Sequence, residues 1–355
     1  MLDHARRAYG GVSDTLARAT ALPRAAFADP QVFETEQALI FRTGWVPVAR
    51  ENDLAEAGAY RSVEVAGVPL VVTRDTAGEI HVLSRICRHR GMPVVEGCGV
   101  AKSLTCPYHL WRYGLDGKLA AAPGMERSEV FDREAHDLPH IATTRWNGWI
   151  FANIDGKAAP LAPQIARLSA RVAAFAPQDM VTVATISLDS PWNWKLMVEN
   201  FMESYHHIGP HIGSLQQSNP GLGTYESDGG DLFTILENPP AEGDHQGFVV
   251  ATIFPTTLLF FSEGTPLGSW YELDAIEHGK FRLNIHLLAK PDFAAVPEFV
   301  EGFRAQAMAI HDEDIPVCEG AQKGVTSPLY TPGPLSHLEA SVWRLHQFLK
   351  SRLAG

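Results

Sequence analysis

Hydrophobic and polar positions change rhythm several times along the chain. Between residues 58 and 85 the rhythm is that of short strands. Tyr60–Val65 alternates, Val68–Thr73 is an apolar-rich run, and Ile80–Leu83 follows the turn Asp75-Thr76-Ala77-Gly78. Trp146–Ile154 reads as a closing strand, so residues 43–154 predict a small all-β domain. Gly156, Pro160 and Pro163 mark a linker. The rhythm turns helical at Ile165–Phe175, and again from Trp194 to about Ile208, where Gly209-Pro210 cannot continue a helix. Phe248–Phe254, Leu258–Ser262, Gly268–Leu273 and Lys280–Leu288 predict one antiparallel sheet. Two helices follow, at about Glu298–Gly320 and Leu338–Leu353, the second opened by the capping box Ser336-x-x-Glu339. The pattern is that of an α+β protein without internal repeats.

Composition changes this picture only at its edges. The 355 residues suffice for two domains with their own cores. A formal charge of −12 without any Lys/Arg run argues against nucleic acid as a partner. The longest apolar stretch, Gly247–Phe261, contains Pro255 and is too short to cross a bilayer, so no membrane association is expected. The first residues lack the apolar core of a signal peptide, and four cysteines make no disulfide framework; both point to the cytoplasm.

Two of those cysteines carry the chemistry. Cys87-Arg88-His89 and, after a sixteen-residue spacer, Cys106-Pro107-Tyr108-His109 each offer one thiolate and one imidazole. A zinc finger groups its cysteines in one half and its histidines in the other. The mixed spacing instead suits a [2Fe–2S] cluster with two cysteines on one iron and two histidines on the other, the Rieske arrangement. A Cys/His zinc site is the competing reading. Arg90-Gly91, Trp111 and the turn-like Leu115-Asp116-Gly117-Lys118-Leu119 favour the cluster. Cys98, between Gly97 and Gly99, is expected in a loop and not as a ligand.

A second constellation lies further on. Glu203 and His206 are three apart and share a helical face, while the Gly209-Pro210 break could swing His211 back beside His206. Clustered histidines near a helix end are also often surface or capping groups. In the C-terminal helical run Phe303, Ala307, Ile310, Val317 and Ala321 mark an apolar face, and Asp314 falls on it, with Pro316 expected to kink or restart the helix. A carboxylate there needs a metal or a salt-bridge partner. Asp312 and Glu313 fall on other faces. Two histidines and one carboxylate form the facial triad of non-haem Fe(II) oxygenases. Asn200 lies one turn before Glu203; Met197, Phe201 and Phe261 are further candidates for a substrate pocket.

With both constellations in hand, the chain resembles the oxygenase component (α subunit) of the Rieske non-haem iron oxygenases, the aromatic-ring-hydroxylating family. The resemblance rests on the Cys/His loops, on Asn-Trp-Lys…Glu-Asn…Glu-x-Tyr-His-x₄-His from Asn193 to His211, and on Glu-Asp-x₄-Glu from Glu313 to Glu319. It implies that Cys87, His89, Cys106 and His109 hold the cluster and that His206, His211 and Asp314 hold a mononuclear Fe(II), with His207 not a ligand. It also implies a β Rieske domain (43–154) beside a helix-grip (START-like) catalytic domain (155–355) whose antiparallel sheet is covered by helices. Residues 1–42 would pack on the catalytic domain. Glu203 and Asn200 take catalytic positions, Glu203 as the acid bridging His206 to the cluster ligand His109 of a neighbouring subunit in a head-to-tail homotrimer. The implied activity uses O₂ and electrons from NAD(P)H, delivered by a separate reductase with or without a ferredoxin, to hydroxylate a small organic, on the family average aromatic, substrate. Glu at 203, where many ring dioxygenases have Asp, resembles the choline- and carnitine-type monooxygenase branch, so oxidative N- or O-demethylation is the alternative. An electron carrier without the second iron and a zinc-stabilised binding protein are the readings outside the class.

Overall fold

A computed structural model describes residues 2–243 and 246–355. The chain divides into two compact units, Arg42–Ala159 and a second made of the residues up to Phe41 with Pro160–Gly355.

The unit Arg42–Ala159 is built from ten short strands. They are β1 (Val46–Arg50), β2 (Ala59–Val65), β3 (Val68–Arg74), β4 (Ile80–Ser84), β5 (Cys98–Val100), β6 (Leu104–Thr105), β7 (Arg112–Tyr113), β8 (Leu119–Ala121), β9 (Ala142–Trp146) and β10 (Trp149–Asn153). Three sheets result, ordered β4-β3-β2-β5, β1-β10-β9 and β6-β7-β8. Trp146–Ile154 is thus not one strand. Asn147 (φ 49°) and Gly148 (φ 85°) turn the chain between β9 and β10. Two consecutive positive φ angles are what an Asn-Gly hairpin turn supplies. Cys98 likewise opens an edge strand paired with Arg61 rather than lying in a loop. It is exposed and distinct from the buried Cys87 and Cys106.

The other unit holds a seven-stranded antiparallel sheet. Its strands are β11 (Val181–Ser190), β12 (Tyr225–Gly229), β13 (Phe233–Asn238), β14 (Phe248–Ile253), β15 (Thr257–Ser262), β16 (Leu267–Glu277) and β17 (Lys280–Ala289). From β12 to β17 the strands follow one another as a meander, and β11 adds to the edge beside β17. Helices Trp194–Phe201, Pro297–Thr326 and Ala340–Leu353 accompany the sheet. Ser336 and Glu339 form the expected capping box, on a short turn that leads into the last helix. The N-terminal segment belongs to the same unit, its helix Leu2–Tyr9 packing on Ala340–Leu353 and its helix Arg24–Ala28 on Pro297–Thr326.

Two helices depart from the pattern read in the sequence. Pro297–Thr326 runs unbroken through Pro316, so the proline neither ends nor restarts it. The Trp194 helix, in contrast, stops at Phe201, and a separate turn spans Tyr205–Ile208. The break falls at Glu203, whose carboxylate turns back to accept the His206 N–H at 3.0 Å. A side chain that captures a local backbone N–H competes with helix continuation. Among the described residues no helix is long and apolar enough to cross a membrane.

Candidate metal centres

The first site lies in Arg42–Ala159, where two loops repeat one backbone device. The Cys87 N–H bonds to Met92 O and the Gly91 N–H to Cys87 O; in parallel, the Cys106 N–H bonds to Trp111 O and the Leu110 N–H to Cys106 O. Each loop therefore folds back four residues after its cysteine, at Gly91 (φ 78°) or Leu110 (φ 58°). This presents thiol and imidazole together. The His89 and His109 ring centroids are 4.6 Å apart, and His89 stacks on Trp111 at 4.9 Å with planes 8° apart. Cys87 and Cys106 are buried free thiols.

The Nδ1 atoms of His89 and His109 are buried without a hydrogen-bond partner, which buried ring nitrogens rarely tolerate. Burial, then the neighbouring His109 and Arg90, hold His89 below the usual imidazole range. Burial raises the Cys87 thiol and nearby Cys106 adds to the rise, opposed by the Tyr113 hydroxyl and the His89 N–H. Tyr113 is itself buried, with its oxygen 3.4 Å from Cys87 Sγ and accepting the Arg88 N–H at 3.0 Å. Two soft thiolates and two orphaned imidazole nitrogens fit a Cys₂His₂ cluster.

The second site lies in the other unit, and its scaffold begins at Asn193. That side chain accepts the Lys195 N–H at 2.9 Å and donates to His278 O at 2.6 Å, capping the Trp194–Phe201 helix and tying it to the sheet. Trp194 Nε1 and Lys195 Nζ reach the two oxygens of Glu36 at 2.9 and 2.7 Å. Lys195 and Glu36 are both fully buried, so the Asn-Trp-Lys run anchors the helix and does not line the site.

Past the helix end, His206, His211 and Asp314 offer ligand atoms that all lie within 4.8 Å of one another. Asp314 Oδ1 is 3.7 Å from His206 Nε2 and 3.1 Å from His211 Nε2. Each imidazole has its other nitrogen taken by an acid: His206 Nδ1 by Glu203 at 2.8 Å and His211 Nδ1 by Glu313 at 2.5 Å. A carboxylate on Nδ1 fixes that nitrogen as the donor and frees the Nε2 lone pair for a metal. Burial opposes the charge on Asp314, but the His211 hydrogen bond and the His206 and His211 charges hold its pKa below the ordinary value. Burial likewise opposes a proton on His211, yet Asp314 and Glu313 together raise it. A metal would replace that proton. The donor set fits a two-histidine, one-carboxylate centre.

Asn200 donates to Asp314 Oδ1 at 3.2 Å. The buried acid is thus answered by imidazoles and an amide, and no arginine approaches it among the described residues. His207 points away, its Nδ1 on Asn219 O at 2.9 Å, and burial pushes it down to about 4. Glu313 was expected on a solvated face and had no assigned role. Its contact with His211 spans 102 positions, beyond any local pattern.

The triad opens on a cavity of about 330 Å³ between the sheet and the helices Trp194–Phe201 and Pro297–Thr326. Met197 and Phe201 line it, as does Asn200. Phe261 does not; the lining residue is Phe260. Side chains alternate across a strand, and Phe261 turns to the opposite face, stacked on Phe175 at 4.9 Å. There it lies over Gly268, where a Cβ would meet its ring at 2.9 Å.

A small β unit presenting two thiols and two imidazoles, with a sheet-and-helix unit presenting two histidines and a carboxylate above a cavity, defines a two-centre iron protein of the Rieske oxygenase class. Residues 44–139 match the Rieske [2Fe-2S] domain, and residues 177–235 and 228–355 match the ring hydroxylating alpha subunit (catalytic domain). The chain belongs to that α-subunit family, the Rieske non-haem iron oxygenases, whose two domains imply a Rieske cluster and a mononuclear iron working with O₂. It is 33% identical over 194 residues to the carnitine monooxygenase oxygenase subunit of Acinetobacter baumannii, covering 54% of this chain and 52% of that one. It is 34% identical over 191 residues to the glycine betaine monooxygenase oxygenase subunit of Chromohalobacter salexigens, covering 54% and 43%. The chain spans about half the length of these curated relatives. The crystal structure of the quaternary ammonium Rieske monooxygenase CntA with inhibitor MMV12 shares the fold, with a TM-score of 0.88 at 23% identity over 95% of this chain and 97% of that one.

Proposed function

We propose that this chain is the oxygenase component of a multicomponent system that oxidises a methylated, quaternary-type amine beside its nitrogen. The observation that carries this reading is the His206–His211–Asp314 cluster opening on a cavity of about 330 Å³. The activities of the carnitine and glycine betaine relatives support an amine over the aromatic ring expected from the family average. Inserting one oxygen atom of O₂ into the C–H bond beside nitrogen consumes two electrons and two protons and releases one water. The hydroxylated carbon then parts from nitrogen, giving an amine and an aldehyde.

When bound, the iron supplies O₂ reduction and the cluster supplies electrons, one at a time. The residues of the chain do the rest. Cys87, Cys106, His89 and His109 would hold the cluster; His206, His211 and Asp314 would hold the iron. Glu203 and Glu313 fix the two imidazoles, and Asn200 steadies Asp314 Oδ1. Phe201, Phe248 and Phe260 keep water from the reacting C–H bond.

Electrons reach the cluster from a reductase drawing on NAD(P)H, and pass between copies of the chain in a head-to-tail homotrimer. Exposed apolar groups support such docking: Met92, Tyr108 and Leu110 on the cluster loops, and Ile208 and Ile212 around the triad. Four cysteines, none of them paired in a disulfide among the described residues, support a cytoplasmic home. The test is turnover of the reconstituted protein with a reductase, NADH and a panel of methylated amines, assayed for aldehyde. Diols from an arene, with no aldehyde from any amine, would contradict the reading.

A further inference from the structure

The two histidines of the Cys/His loops have different surroundings. His109 meets Tyr108 at a ring-centroid distance of 3.9 Å, and Arg90 lies over the Tyr108 ring at 5.2 Å. Met92, Tyr108 and Leu110 on these loops are exposed. His89 is backed instead by Trp111, which is 1% exposed and lies nearly parallel to it. The Trp111 Nε1 atom is buried without a hydrogen-bond partner. A leucine or phenylalanine would fill the same place without an orphaned donor, so packing alone does not account for an indole there.

Beyond Trp111 the rings continue. Phe131 stands edge-on to it at 5.6 Å and His136 at 5.7 Å, and these two meet at 5.2 Å. Phe131 packs on the core, and His136 is half-buried, its Nδ1 held by Asp132 O. An unbroken series of ring contacts thus runs from the surface at His136 through Trp111 to His89. The segment that carries it, 125–137, is acidic on its outside. Glu126, Glu129, Asp132 and Glu134 are exposed there against Arg127, while Arg133 is tied back to Ala120 O at 2.7 Å. Val130, beside Phe131, is 89% exposed.

Resting on the reading that a separate reductase feeds the cluster, we propose that the reductase docks on this segment. Electrons enter through His136, Phe131 and Trp111 to His89, and the His109 side is left for the exit toward the neighbouring copy. Each crossing oxidises the reductase's redox centre by one electron and reduces the cluster by one; the rings bridge the gap and are not themselves oxidised. Tunnelling falls off more steeply across solvent or saturated side chains than across rings in contact. The docking face of the reductase is basic, to complement the acids, with an apolar group to cover Val130.

Two measurements test the route and the partner separately. A ruthenium–bipyridine photosensitiser attached at Glu134→Cys, in a Cys98→Ser background and with a sacrificial amine donor, injects an electron by flash without any reductase. Injection should slow about ten-fold when Phe131→Leu and His136→Leu are combined. His136→Phe should keep the rate, and the midpoint potential and cluster spectrum should not move in either variant. An unchanged rate in the double variant would overturn the route. Stopped-flow reduction with NADH and the reductase that supports turnover tests the partner. Glu126→Lys with Glu129→Lys should raise the reductase concentration for half-maximal rate about ten-fold at low salt. The limiting rate should hold, and the difference should fade at high salt. No change at low salt would overturn the docking face while leaving a reductase as the electron source. A wild-type cluster that flash injection reduces but no NADH-linked reductase does would overturn the docking face together with the reading beneath it.

Discussion

Glu313 is the most informative residue to change. Its Oε2 accepts from His211 Nδ1 and from Ser214 Oγ, each at 2.5 Å. Those two bonds hold its carboxyl below the usual range, so it is ionised near neutral pH. His211 is buried, whereas the Glu313 side chain is 34% exposed. Glu313→Gln keeps the size and a carbonyl oxygen but turns a charge-assisted bond to the imidazole into a neutral one. Bonds to charged groups contribute about 1.5–3 kcal/mol and neutral ones about 0.5–1.5. The difference, about 1–1.5 kcal/mol, corresponds to roughly ten-fold in Fe(II) affinity. The partial exposure of Glu313 places it at the weak end of the roughly 10–100-fold range for groups that support a ligand. The assay is chelator competition for Fe(II) under anaerobic conditions. Cluster absorption is the internal control, because its donors belong to the other unit. Asp312→Asn, at an exposed neighbour on the same helix, should leave affinity unchanged. A Glu313→Gln variant within about two-fold of wild type, or an equal loss in Asp312→Asn, would refute the reasoning.

Glu203→Gln, assayed with its cluster intact and saturated with Fe(II), should reduce NADH-driven turnover by about 10–100-fold, seen as slow reoxidation of the reduced cluster under O₂ and substrate; a wild-type rate removes Glu203 from the electron's route. Lys195→Met strands the buried Glu36 charge and should cost about 3–5 kcal/mol in urea unfolding, while adding Glu36→Gln should recover part of it; a loss below about 1 kcal/mol would show the pair to be unimportant. His207 is held neutral in the fold, down to about 4, against about 6.5 when exposed. The unfolded chain therefore takes the proton first as pH falls, and stability present above about 6.5 declines toward pH 4. Between pH 7 and pH 5 that decline is about 2 kcal/mol; His207→Gln should abolish it in urea unfolding while retaining iron, and an unchanged slope or an emptied site would contradict the assignment.

What the sequence made legible was local. The Cys87–His89 and Cys106–His109 loops could be read because each Cys/His pair sits within one turn, and the β14–β17 runs because each is a short stretch rich in β-branched and aromatic residues. Asp314 came from helical phase, but by an imperfect route. The buried stripe around it runs through His311, Cys318 and Val325, whereas Val317, taken as part of it, is 39% exposed. Because Pro316 leaves the helix intact, the phase carries straight on to Cys318. The missed features are long-range or hang on one step of register. Phe260 and Phe261 swap roles with a shift of one residue, and only the pairing of β15 with β14 and β16 sets which of them faces the cavity. β11 alternates over Thr185–Asp189, but an irregularity between Thr182 and Ala184 shifts its register and interrupts the pattern. Its place is set by pairing with β17, about a hundred residues on.

Two iron centres in one polypeptide are the core of the account, and Mössbauer spectroscopy on the ⁵⁷Fe-reconstituted protein tests them directly. The predicted result is about three irons per chain, two as a Cys₂His₂-ligated pair and one as a separate ferrous species that disappears in Asp314→Ala while the pair remains. A spectrum holding only the pair, or a protein that takes up zinc and shows no cluster, would contradict it.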